Sequence, residues 1–243
     1  MATHEVVRTG SHLPPFRRNA INAPDNVLNR LVLSGLDDAV AKMEPASKRV
    51  YVAVSVPRAR TDSAPMDQAA LDAIVLQLRA MPERGGWDRI VAATPAYRTL
   101  GVDAMAATSQ GFGVFMQPLC QSQQGPCGMY GDGSSAVTAE KVVTPDGREI
   151  RANQFVAPYV FLKVWILDPQ TLAVTDSQEV FEYQKMWDPK ADTMELSEVI
   201  PKRVLAARIV ELATQATEEA VKRTELRGQV EVKERGEVKD APK

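Results

Sequence analysis

Val50-Tyr51-Val52-Ala53-Val54-Ser55-Val56 is a short, nearly continuous apolar run inside the stretch Lys48–Thr99. Such a run suits a strand buried on both faces. A polar loop follows, then an amphipathic segment opened by Ala64-Pro65-Met66-Asp67, with Leu71, Ile74, Val75 and Leu78 at helical spacing. Pro82 and Gly85-Gly86 stop that helix, and Trp87–Thr94, with its apolar run Ile90-Val91-Ala92-Ala93, reads as a second strand. Strand, helix and strand in this order predict a βαβ crossover, whose strands run parallel and end on one edge of the sheet. Ligands of open α/β sheets favour that edge.

Outward from this stretch, Pro24-Asp25 opens a helix with Leu28, Leu31, Val32, Leu36, Ala39, Val40 and Met43 on one face. Residues 1–23, with Pro14-Pro15 and the basic Phe16-Arg17-Arg18, read as an extended arm. Residues 101–110 show weak periodicity, and a short helix or an irregular loop is expected there. Gly111–Met116 reads as a strand, and Gln, Gly and Ser mark residues 120–136 as an exposed excursion. Pro145-Asp146-Gly147-Arg148 between Ala139–Thr144 and Glu149–Ala152 is a hairpin signal.

The clearest hairpin joins Tyr159–Leu167 to Leu172–Tyr183 across Asp168-Pro169-Gln170-Thr171. Neither alternating set of its second strand is uniformly apolar, which predicts a strand near a sheet edge. A last helix is expected from about Ser197 to Arg223, followed by a charged tail over 228–243. The fold class is therefore α/β (α+β). The sheet is mixed, parallel in its first half and antiparallel in the hairpins of its second, with helices packed on it. Residues 24–227 form one domain between arm and tail.

Composition excludes several function classes. Across 243 residues, 44% hydrophobic and 25% charged content is ordinary for a globular domain, and a formal net charge of -2 gives no general affinity for nucleic acid. No apolar run approaches the roughly 20 residues of a membrane helix. Met1-Ala2-Thr3-His4 lacks a signal peptide's apolar core, so the chain is cytosolic or has lost an export signal or lipid anchor. Cys120 and Cys127 flank Gln-Ser-Gln-Gln-Gly-Pro. A small disulfide loop and two free thiols are both open at that spacing, and zinc is disfavoured.

Chemistry-bearing residues are few. Arg58, Arg60, Thr94 and Arg98 fall at the ends of the two expected parallel strands, with Asp62 and Tyr97 beside them. Guanidinium groups hold phosphate or carboxylate bidentately, so these six residues form a candidate anion pocket. Solvated arginines in surface ion pairs are the alternative. Gly111-Phe112-Gly113 lacks the later glycine and lysine of a nucleotide cradle. The only histidines, His4 and His12, lie in the arm, which excludes a Ser-His-Asp triad unless one of them folds back. No cofactor or metal is implied.

Arg49–Pro57 with its following helix, and Phe161-Leu162-Lys163-Val164-Trp165-Ile166-Leu167-Asp168-Pro169-Gln170-Thr171-Leu172-Ala173-Val174 with the closing helix, carry a resemblance. This pattern of elements, over about residues 48–223, resembles bacterial envelope domains. They are the anticodon-binding-like α/β domains of the curli-secretion lipoprotein and of the Tol-Pal periplasmic propeller protein. It departs from them at Pro169-Gln170-Thr171, where Thr-Gly is expected, and in the Cys120–Ser135 excursion. The resemblance implies a periplasmic, non-catalytic accessory protein that binds a protein partner or forms an oligomer. It carries no functional residue. An enzyme or binder of a phosphorylated or carboxylated ligand at the arginine edge is the alternative reading, and a structural subunit of a bacterial or phage assembly a third.

Overall fold

A computed structural model describes residues 5–10, 19–22, 26–52, 66–102, 105–117, 139–193 and 195–224. In chain order these form β1 (Glu5–Gly10), β2 (Asn19–Asn22), α1 (Val27–Met43), α2 (Met66–Arg79), a 3-10 turn (Pro82–Gly86), β3 (Ile90–Pro95), β4 (Tyr97–Val102) and β5 (Met105–Gln117). There follow β6 (Glu140–Val143), β7 (Glu149–Ala152), β8 (Phe155–Leu167), β9 (Val174–Tyr183), α3 (Leu196–Val199) and α4 (Lys202–Arg223). The fold is α+β, with helices packed on a mixed sheet.

β8 organises the sheet. Its first half pairs antiparallel with β5, from Gly111↔Phe161 to Gln117↔Phe155. Its second half pairs antiparallel with β3, from Ile90↔Leu167 to Pro95↔Leu162. Both neighbours occupy one edge of β8, and β9 takes the other, with Lys163↔Glu179 in register. Twelve of the thirteen residues of β8 are buried because both of its faces are covered. Val160, Leu162, Val164 and Ile166 meet Leu28, Val32 and Leu36 of α1 and Leu212, Ala213 and Ala216 of α4. On the opposite face Tyr159 and Phe161 share a core with Val142 and Ile150 of the β6–β7 hairpin. Trp165 and Leu167 share one with Leu71, Ile74 and Leu78 of α2. Each large side chain buried this way contributes roughly 1.5–3 kcal/mol relative to exposure.

Several elements depart from the sequence reading. The parallel pair in the described sheet is β1 with β5, Val6↔Phe112 through Gly10↔Met116. β1 also pairs antiparallel with β2, so the expected arm supplies two strands. Lys48–Val52 lies in no strand, and the rest of the expected Val50–Val56 strand lies outside the described residues. Val50 is 68% exposed and Tyr51 52%. Asp37 on α1 accepts from Arg49 Nε at 2.5 Å and from the Tyr51 hydroxyl at 2.5 Å. Those bonds, Tyr51's first, hold the Asp37 carboxyl below its usual range. They keep residues 49–51 on the flank of the helix.

Residues 101–110 are neither helix nor irregular loop. β4 and the first half of β5 form an antiparallel ribbon, from Tyr97↔Gln110 to Val102↔Met105. At Gly111 the chain stops pairing with β4 and starts pairing with β8, and φ of 52° there is open to glycine at little cost. The last helix is broken in two. Pro201 forces Ile200 into an extended conformation (φ -109°, ψ 126°) and restarts the helix, accepting from Val204 N at 2.8 Å and Leu205 N at 3.1 Å.

The β8–β9 turn is held by Asp168. Its Oδ1 accepts from Thr171 N at 2.7 Å, Thr171 Oγ1 at 2.8 Å and Gln170 N at 3.0 Å. The turn then docks on the 3-10 segment, where Gln170 Nε2 donates to Gly85 O at 2.7 Å and Arg84 donates to the carbonyl of Gln170 at 2.9 Å. Leu172 takes a left-handed conformation with φ of 60°, a strain offset by burying its side chain in the α2 core. Bonds to the ionised form, led by the Thr171 amide, hold the Asp168 carboxyl below its usual range. A depressed carboxylate stabilises the fold above its unfolded pKa of about 3.9, and that contribution is lost as the pH falls through the lower folded value. Asp168→Ala is therefore expected to lower the urea midpoint at neutral pH. The gap from wild type should narrow as the pH is taken below the carboxylate range; a constant gap would contradict the charge-assisted turn.

Candidate functional site

The candidate anion pocket is only partly within the described residues. Arg58, Arg60 and Asp62 lie outside them, as do Cys120 and Cys127. Thr94, Tyr97 and Arg98 come together in sequence around the Pro95-Ala96 corner where the chain leaves β3 for β4. Thr94 is fully buried, and its hydroxyl accepts from Trp165 Nε1 at 2.9 Å. That hydroxyl is committed inside the α2 face of the sheet. Tyr97 is half-buried opposite Gln110, and Arg98 stands opposite Ser109 in the ladder.

Beside Thr94 lies a polar row that sequence reasoning did not single out. Lys163 is the one charged residue of β8 and is flanked in register by Thr94 on β3 and Glu179 on β9. Its Nζ lies 3.5 Å from Glu179 Oε1, 3.5 Å from Asp67 Oδ2 in the first turn of α2, and 4.2 Å from the centroid of the Trp165 ring. A lysine held in a buried strand loses hydration worth several kcal/mol. Two carboxylates and an aromatic face offset that cost. Asp67 gains further from the positive end of α2. The group can tie the start of α2 to the middle of the sheet. Both carboxylates, Asp67 and Glu179, face the same ammonium group. The signal for it was present in the sequence as a lone lysine in the apolar run 159–167.

β9 is the sheet's outer strand beyond β8, and β8 is its only partner among the described strands. It carries Asp176, Glu179 and Glu182 and no lysine or arginine. Half-burial raises the Glu182 carboxyl above its usual range, Glu219 of α4 adds to the rise, and Arg223 opposes it. On the core side of this edge Phe181 packs on Tyr159 at 5.6 Å, Phe161 at 5.5 Å and Tyr183 at 5.4 Å between ring centroids. The strand is thus backed by aromatic side chains and carries three carboxylates.

Among the described residues no group of three or more His, Cys, Asp or Glu is placed to hold a metal ion. No described helix is long and apolar enough to cross a membrane. Comparison with protein-family models, with curated proteins and with solved structures finds no match to this chain.

Proposed function

We propose that this chain is a non-catalytic accessory protein of a bacterial envelope or other assembly, acting by binding a protein partner or by oligomerising through a sheet edge. The observation that supports this reading is β9, a ten-residue strand whose outer edge meets no other described strand. A strand edge that no other described strand covers presents backbone donors and acceptors to an incoming strand. The aromatic layer behind β9 fixes that row in place, so strand addition loses little further conformational entropy.

Light scattering over a range of concentrations, before and after reduction, tests the reading. Consecutive amides of a strand point to opposite edges. One of Ser177→Pro and Gln178→Pro therefore removes an outward donor and spares the β8 ladder. A defined oligomer that this variant converts to monomer is the expected result. A monomer whose outward β9 amides are already protected from hydrogen exchange would overturn the reading, because the edge would be filled within one copy. A change of shape on reduction at constant mass would place Cys120 and Cys127 in a disulfide within one chain and support export, whereas a fall in mass would report a bridge between chains.

A further inference from the structure

A second feature, away from β9, is a shallow groove open to solvent. A cleft of about 380 Å³ separates the β6–β7 turn from the first half of α4. Its volume falls within the roughly 300–1,000 Å³ of ligand pockets. Val143, Met186, Val204 and Ala207 give it apolar walls. Its charged lining is Arg203, Arg208 and Glu211, all on α4. Arg208 is already bonded to Glu211. Arg203 is exposed and makes no ion pair among the described residues. Arg203 and Glu211 are eight residues apart on a helix, a separation of about 12 Å. The cleft is therefore polarised, with an uncommitted guanidinium at one end, a neutralised pair at the other and apolar surface between.

We infer that this cleft binds a small organic carboxylate with a short aliphatic body. The carboxylate lies against Arg203, where a guanidinium offers two parallel donors and the start of α4 contributes the positive end of its dipole. The aliphatic body covers Val204, Ala207 and Met186 and points toward the Arg208–Glu211 end. A ligand cation is disfavoured by Arg203, and a doubly charged anion would set its second charge near Glu211.

Titration calorimetry with sodium octanoate tests this, with 1-octanol and octylammonium as uncharged and cationic counterparts. Octanoate is expected to bind saturably at one site, at least tenfold tighter than either counterpart. Arg203→Gln should weaken it at least tenfold, and Ala207→Phe, which fills the cleft, should abolish binding. Arg30→Gln, on α1 outside the cleft, should leave it unchanged. Arg203 and Ala207 are exposed, so unchanged melting temperatures should confirm that the variants fold. Octanol binding as tightly as octanoate, full affinity in Arg203→Gln or in Ala207→Phe, or no saturable binding to the wild type would each overturn the assignment.

Discussion

Gly113→Ala is expected to destabilise the protein by about 3 kcal/mol or more, the upper end of what overpacking a core costs. In an ordinary strand the same change is mildly favourable, because alanine loses less backbone entropy than glycine on folding. Here the sign reverses. A Cβ on Gly113 would stand 2.1 Å from Tyr159 Cζ and 2.2 Å from its hydroxyl oxygen. The two residues are direct cross-strand partners, and the phenol ring lies over the glycine. Tyr159 has nowhere to go: it is fully buried and packed on Phe181. Relief requires β5 to separate from β8, the pair that carries β1 and β2 with it. Equilibrium urea unfolding of Gly113→Ala beside wild type measures the effect. Coincident midpoints would refute the ring-over-glycine packing.

Gly35→Ala is the second large effect. Replacing a mid-helix glycine by alanine normally gains about 1 kcal/mol. In α1 the added Cβ would meet Thr217 Oγ1 of α4 at 2.4 Å, so a loss of about 1–3 kcal/mol is expected instead. Thr217 is fully buried, and its hydroxyl already donates within α4, with Ala213 O and Thr214 O each at 2.9 Å. Rotating the hydroxyl away would forfeit those bonds and press a methyl group on the same spot. The second variant Thr217→Ala removes the obstruction and leaves a Cβ at 3.4 Å, a tight but tolerable contact. The double variant Gly35→Ala/Thr217→Ala should therefore recover most of the loss, with a coupling of about 1–2 kcal/mol in the cycle. Additive losses would mean that α1 and α4 do not meet through this pair.

Residues that bury one face at a regular spacing were legible in the sequence. The α1 stripe, α2 and the β6–β7 and β8–β9 hairpins all follow from local periodicity and turn residues. What escaped is held by distant partners. The β4–β5 ribbon satisfies its backbone by pairing with itself, so it needs no alternation of apolar residues and showed none. β1 reads as arm because its identity as a strand depends on β5, about a hundred residues away in sequence, and parallel pairing leaves no local signature. The apolar run at Val50–Val52 misleads in the opposite direction: it lies outside any strand, with Arg49 and Tyr51 bonded to Asp37 of α1. Of the candidate site, Thr94 was placed correctly at the end of β3. Its role is set by Trp165, which no reading of residues 48–99 alone could supply.

The chain between Pro95 and Gly111 leaves the sheet and returns to it at adjoining points on one edge of β8. Ala96 N donates to Phe161 O and Gly111 N donates to Ala96 O, each at 3.1 Å, closing the base of the excursion. The ribbon is thus a side branch whose length is uncoupled from the registers on either side of it. Matched insertions or deletions in its two strands would lengthen or shorten the branch and leave the β3 and β5 ladders on β8 unshifted. The branch can therefore change length in matched steps, while a residue gained or lost in the middle of β8 would turn every later side chain of that strand to the opposite face.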